Sequence, residues 1–175
     1  MNLFAENISI ARAEDTPIGV IVVQAGSNGL CRVDLLGHSA QKIGNKQAIS
    51  SESDLARQAL QQLLEYLSGQ RRSFEIQIDS SSMKPFQTKV LKRTLAVPFG
   101  QVLTYGQLAT ELDNQAASRA VGGALAHNPI SIIIPCHRVV AANGRLTGFS
   151  AAEGIRTKQW LLELEGRRVV GEKLV

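Results

Sequence analysis

The sequence predicts an α/β chain of two domains, a small α/β one at the amino end and a mainly helical, winged helix-turn-helix one at the carboxyl end. Three observations predict it. Short β-rich segments fill the first third, while helical periodicity dominates the rest. A polar stretch, Asp79-Ser80-Ser81-Ser82, lies between them and reads as a linker. Charge divides near the same place. Residues 1–83 hold 7 Lys and Arg against 9 Asp and Glu, net −2, whereas residues 84–175 hold 12 against 6, net +6. The domains are therefore set at 1–80 and 81–175.

Each element follows from local pattern. Ile18 to Val23 and Cys31 to Leu36 are apolar and read as strands, and Phe74 to Ile78 alternates with period two. Asp54 to Leu67 reads as a helix. Leu55, Ala59, Leu60, Leu63, Leu64 and Leu67 form its stripe, Ser53 is placed to cap it, and Gly69 follows its end. Further on, Phe86 to Ala96, Tyr105 to Leu112 and Gln115 to Ala126 read as helices. The last two, joined by a turn at Asp113-Asn114, make a helix-turn-helix layout. Ile130 to Ile134 reads as a buried strand. Val139 to Ala142 leads into the tight turn Asn143-Gly144, and Arg145 to Phe149 returns as a hairpin-like wing. Thr157 to Glu165 closes the chain as a helix, stopped by Gly166.

Composition narrows the function. A hydrophobic content of 44% supports a packed core. No run is long and apolar enough to span a membrane, and the start lacks the basic-then-apolar layout of a secretion signal. With only two cysteines, a reducing, cytoplasmic setting is expected. Cys31 lies within a strand-like run and reads as structural. The basic second half suits a polyanionic partner, because neutralising phosphates releases counterions. An ordinary solvated surface is the alternative.

The densest chemistry lies in Pro135-Cys136-His137-Arg138-Val139. Thiols react as thiolates, and neighbouring basic groups raise the thiolate fraction. Cys136 is thus the candidate nucleophile, against the alternative of an inert core thiol. The third helix is rich in small residues: Ala116, Ala117, Ala120, Gly122, Gly123, Ala124 and Ala126. Gly inside a helix costs about 1 kcal/mol relative to Ala, so a compensating reason is expected. Close helix packing is one reason, and close approach to a nucleic-acid backbone is another. Gln115 and Arg119 are the main side chains there able to read base edges, which predicts little sequence specificity.

Pro135-Cys136-His137-Arg138-Val139 resembles the signature of the O6-alkylguanine-DNA alkyltransferases. Further matches follow in order: Thr104-Tyr105-Gly106-Gln107-Leu108-Ala109, Ser118-Arg119-Ala120-Val121-Gly122, Asn128-Pro129, Gly148-Phe149 and Leu161-Leu162-Glu163-Leu164-Glu165-Gly166. They span about Pro85 to Gly166. The amino-terminal half matches through Thr16-Pro17-Ile18-Gly19, Gly29-Leu30 and Leu64 to Gly69.

The resemblance implies a ribonuclease-H-like amino-terminal domain and a DNA repair protein. It would flip O6-alkylguanine, or O4-alkylthymine, out of duplex DNA and move the alkyl group irreversibly to Cys136. Its catalytic residues would be Cys136, His137 as base through a bridging water, Glu165 orienting that imidazole, and Asn128 bonding across the turn. Extended backbone would keep the Cys136 and His137 side chains apart. Its DNA- and substrate-binding residues would be Tyr105, Arg119 as the finger filling the vacated stack, Ala120, Gly122, Gly123, Arg138 (which would also brace the active-site segment), Phe149 and Ser150. Read alone, Tyr105 is a helix-start aromatic, Arg119 a surface ion-pair partner, Glu165 a surface acid and Asn128 a simple turn residue.

The expected partner is double-stranded DNA carrying alkylated bases, met through the minor groove. The expected state is a monomer in solution, with cooperative assembly on DNA left open, in the cytoplasm or on the nucleoid. No cofactor is expected, because no cofactor motif is present, and since nothing in the chain could cleave the thioether product, each molecule acts once. No metal is expected either, because Cys31 and His38 do not complete a four-ligand set and His127 lies far off in sequence. Four departures from the family pattern stand out. Phe149 replaces a usual Tyr, Ser150 opens a longer loop, Ser131 stands where some members have Pro, and Leu91 replaces a frequent Trp. A non-catalytic damage binder and a thiol hydrolase are the competing readings. The first should lack the thiol, and the second would turn over.

Overall fold

Alternating burial organises the first of two units, Met1–Ser82 and Met83–Val175, in a computed structural model that describes residues 8–42 and 54–175. β1 (Ser9–Ala13), β2 (Val20–Gly26) and β3 (Gly29–Gly37) form an antiparallel meander. Opposed pairs Ile21–Leu35, Val23–Val33 and Ala25–Leu30 are buried on one face. α1 (Asp54–Leu67) packs on all three strands. Its buried stripe is Ala56, Ala59, Leu60, Leu63, Tyr66 and Leu67. Leu55 and Leu64, expected in that stripe, are half-buried, so the helix is turned toward Ala56 and Tyr66. The Ser53 cap lies outside the described residues.

This unit gains one strand the sequence did not announce and loses one that it did. β1 has only Ser9 fully buried, so no apolar run announced it. Residues 74–78 keep their alternation of burial but form no strand. They touch the sheet through one parallel bridge, Ile78 to Leu30, with the Leu30 N–H donating to the Gln77 carbonyl at 2.8 Å. A run that meets its partner at a single bridge cannot propagate a ladder.

The second unit is mainly helical. α2 (Pro85–Leu95) has Pro in its first turn, where the missing N–H is no loss, and buries Val90, Leu91 and Thr94. β4 (Leu103–Thr104) runs into α3 (Tyr105–Glu111) through a capping box. Gln107 N–H donates to the Thr104 hydroxyl at 3.1 Å, and Thr104 N–H donates to the Gln107 amide oxygen at 2.7 Å. The third predicted helix is shorter than expected. Gln115–Ala117 is a separate 3-10 turn, and α4 covers Ser118–Ala126. Neither segment has a side-chain cap, and uncapped first turns tighten to i,i+3 bonding. α4 packs on both α2 and α3.

Ile130 to Ile134 is not a strand. The chain doubles back within it, with Ile134 N–H donating to the Ile130 carbonyl at 3.0 Å and Ile132 at φ 72°. Its apolar run reflects total burial rather than extended backbone. β5 (Val139–Val140) follows and pairs in parallel with β4. Asn143-Gly144 makes the expected turn, closed by Gly144 N–H to the Ala141 carbonyl at 2.8 Å. The returning segment does not zip back along β5. α5 (Ile155–Leu164) intervenes, and then β6 (Val169–Val170) and β7 (Lys173–Leu174) form a carboxyl-terminal hairpin. Arg145 and Leu146 bond to that hairpin. The apolar reason is a cluster of Val140, Leu146 and Leu162, against which Val169 and Leu174 pack.

Candidate active site

The doubled-back loop delivers Cys136. Asn128 spans it, accepting from Ile130 N–H at 3.0 Å and donating to the Ile134 carbonyl at 2.9 Å. These bonds hold Ile132 in the left-handed region, which a β-branched residue enters only under constraint. Cys136–Arg138 then forms one 3-10 turn, so Cys136 and His137 are not on extended backbone as expected. Successive side chains there diverge by about 120°, which separates thiol from imidazole by a different route. Cys136 is 9% exposed. Burial pushes its thiol pKa up, while the Asn128 amide and then the Lys158 charge pull it back.

His137 is completely buried. Its Nε2 lies 3.0 Å from Glu165 Oε1. Glu165, the residue closing α5, also accepts from Arg138 Nε at 3.0 Å, Arg138 Nη2 at 2.7 Å and Gly100 N–H at 3.0 Å. Burial alone would raise its pKa, but the bonds from His137 and Arg138 prevail and hold it at about 2. An ionised carboxylate only accepts, so Nε2 carries the proton. Burial pushes the His137 pKa down against the pull of Glu165, so the ring is neutral at pH 7. Nδ1 is therefore its basic nitrogen.

Arg138, grouped by sequence with residues that meet DNA, turns inward. It is 5% exposed, bonds Glu165 and the Val97 carbonyl, and lies 6.0 Å from the Phe99 ring centre. It braces the turn from inside.

Tyr105 opens α3 and reaches across to the return segment, donating its hydroxyl proton to the Thr147 carbonyl at 3.0 Å. Gly148 permits this. Its φ is 68°, and a Cβ there would stand 2.5 Å from the Tyr105 oxygen. Phe149 is buried and Ser150 is exposed.

Sequence reasoning missed Lys158, which is 0% exposed. Its Nζ donates to the Val139 carbonyl at 2.6 Å and the Thr147 carbonyl at 2.7 Å, and sits 5.9 Å from the Tyr105 ring centre. Burial lowers its pKa to about 8. A signal was present. Lys158, Leu161, Leu162 and Glu165 share one helical stripe, so a cation and an anion bracket the apolar pair that α5 buries.

The other expected residues lie on α4. Arg119 and Ala120 are exposed, and Arg119 makes no ion pair among the described residues. A Cβ on Gly122 would meet the Tyr105 ring at an ordinary 3.9 Å, and one on Gly123 would meet nothing within 4 Å. Helix packing therefore does not require either glycine. The open face continues into a groove of about 310 Å³ lined by Lys84, Phe86, Gln87, Gly123, Ala124 and His127. Among the described residues no three His, Cys, Asp or Glu side chains come together to hold a metal, and no helix is long and apolar enough to cross a membrane.

The fold and site define a two-unit, helix-turn-helix protein whose active turn carries a buried thiol followed by an imidazole paired with a carboxylate. Residues 85–167 match the DNA-binding domain of 6-O-methylguanine DNA methyltransferase, and residues 11–80 match its ribonuclease-like domain. A Methanosarcina acetivorans methylated-DNA–protein-cysteine methyltransferase is 38% identical over 87% of this chain and 95% of its own length. The Mycobacterium bovis protein of that name is 35% identical over 90% and 92%. Among solved structures, the Mycobacterium tuberculosis O6-methylguanine methyltransferase superposes with a TM-score of 0.74 at 30% identity, covering 94% of this chain and 96% of that one. A Mycobacterium tuberculosis relative in complex with DNA gives 0.72 at 35% identity, covering 88% and 90%. The chain belongs to the 6-O-methylguanine DNA methyltransferase family.

Proposed function

We propose that this protein binds duplex DNA and repairs O6-alkylguanine by transferring the alkyl group to Cys136, once per molecule. The observation that carries this reading is one short turn that bears the Cys136 thiol and, next in sequence, a neutral His137 oriented by ionised Glu165.

The lesion oxygen is unreachable within the stack, so the nucleotide must rotate out. Exposed Arg119 fills the vacated position, and Tyr105 presses on the rotating base. The bare face of α4, with Ala120, Gly122 and Gly123, supports entry into the minor groove, where few base-reading side chains are needed. One chain supplies every group of the site, which supports action as a monomer. Phe149 walls the pocket, and Ser150 meets the base edge from the return segment.

His137 Nδ1 draws the thiol proton through a water, and Glu165 stabilises the imidazolium that forms. The sulfur attacks the alkyl carbon. The S–C bond forms as the O6–C bond breaks, and the electron pair stays on guanine. Guanine then takes up a proton, so thiol and O-alkylguanine become thioether and guanine. Asn128 holds the loop that aims the sulfur.

Intact-mass measurement after incubation with O6-methylguanine duplex tests this. One methyl per molecule, mapped to Cys136, is expected. An unmodified thiol on folded, reduced protein overturns the reading.

A further inference from the structure

Lys158 has no role in that scheme, yet a fully buried ammonium is expensive and must be compensated. Its two bonds tie together separate parts of the site. The Val139 carbonyl ends the turn that carries Cys136, and the Thr147 carbonyl is the same oxygen that holds the Tyr105 hydroxyl. Thr147 therefore accepts from both Lys158 and Tyr105, while the ammonium faces the Tyr105 ring at 5.9 Å. An apolar side chain of similar length would fill the space without either bond.

Resting on the alkyl-transfer reading, we propose that Lys158 is a positioning residue. Its charge fastens the cysteine turn to the tyrosine-bearing return segment and favours the thiolate form of Cys136. The groups facing it are Tyr105 from α3 and Cys136 and His137 from the 3-10 turn. The mutual electrostatic effects agree: Lys158 lowers the Cys136 pKa, and the Cys136 charge raises that of Lys158. With a pKa of about 8, Lys158 is charged at neutral pH and loses its proton above that.

The test uses Lys158→Met, Lys158→Gln and Lys158→Arg in a Cys31→Ser background, with thermal melting to establish folding. The Gln variant keeps one amide donor for the carbonyls if the Met variant fails to fold. Iodoacetamide alkylation of Cys136 is followed against pH without DNA, alongside methyl transfer from O6-methylguanine duplex. The neutral variants should move the alkylation profile up by about one pH unit, equivalent to a tenfold loss of thiolate at neutral pH. They should slow methyl transfer at least as much. Arg should restore the profile. Profiles that overlay the Lys158 protein in both neutral variants, or an Arg profile shifted as far as theirs, would overturn the proposal. Failure of the unsubstituted protein to accept methyl would instead overturn the alkyl-transfer reading, and the iodoacetamide series would still decide the role of Lys158.

Discussion

The cysteine turn and helix α4 lie in one unit but are built on opposite terms. The turn buries a thiol, an imidazole, a guanidinium, a carboxylate and an ammonium within one small region. Each charge there is met by hydrogen bonds, because an unmet charge in that setting costs several kcal/mol. α4 shows the reverse. Arg119 projects with no ion pair among the described residues, and Gly123 borders empty space. Groups that must hold a geometry are buried and saturated. Groups that meet a partner are left open, and their stabilising contacts are postponed until it arrives.

Four substitutions and one titration would break or sharpen this contrast. The largest effect is expected from Cys136→Ala, which should lower methyl transfer by more than about 1,000-fold while duplex affinity in a filter or anisotropy assay survives. Parallel loss of both would mean that the thiol also holds the duplex and the two regions are not independent. Next, Glu165→Gln should cost about 3–5 kcal/mol in urea unfolding, because the buried Arg138 guanidinium loses its ionic partner. A loss under 1 kcal/mol would mean that the turn does not depend on its charge network.

The same carboxylate sets the acid limit. Its folded pKa, about 2, lies below its ordinary value of 4.5, so its stabilisation is complete above about 4.5 and fades as pH falls toward 2. Its full size is on the order of 3 kcal/mol. Unfolding midpoints taken across that window should fall with pH in the natural sequence and fall less steeply in the Gln variant, where Glu65 and Asp79 still titrate.

Arg119→Ala should slow repair of duplex by about 10- to 100-fold, since a few kcal/mol of unstacking goes uncompensated. The rate with O6-benzylguanine as a free base should stay within about twofold. Equal slowing of both substrates would move Arg119 into the chemistry. The smallest effect is that of Gly123→Ala. The new Cβ meets no atom, so the helix should gain up to about 1 kcal/mol, raising the melting temperature. Duplex affinity should fall. A gain in stability with unchanged affinity would place the nucleic acid elsewhere.

Local pattern reached far into this chain. α1 was readable to its last residue because a leucine stripe and a closing glycine are local signals. The thiol, imidazole and guanidinium of the cysteine turn were adjacent in sequence, so their concentration was visible without a fold. Ile130 to Ile134 misled because burial and strand formation leave the same apolar trace. Lys158 escaped notice because a lysine on a helix is ordinarily solvated. Only contact with two main-chain carbonyls distant in sequence explains its burial.

By itself the sequence determined where the helices lie, though not where the third begins, together with the charge division and the presence of the cysteine motif, since each rests on neighbours a few residues apart. Tertiary structure alone decided that Glu165 is ionised and shared between His137 and Arg138, that Arg138 is buried against the Val97 carbonyl, and that Lys158 joins two segments of the site. The physical reason is common to all three. A side chain's charge state and direction depend on what surrounds it, and here those surroundings come from residues 11 to 65 positions away along the chain.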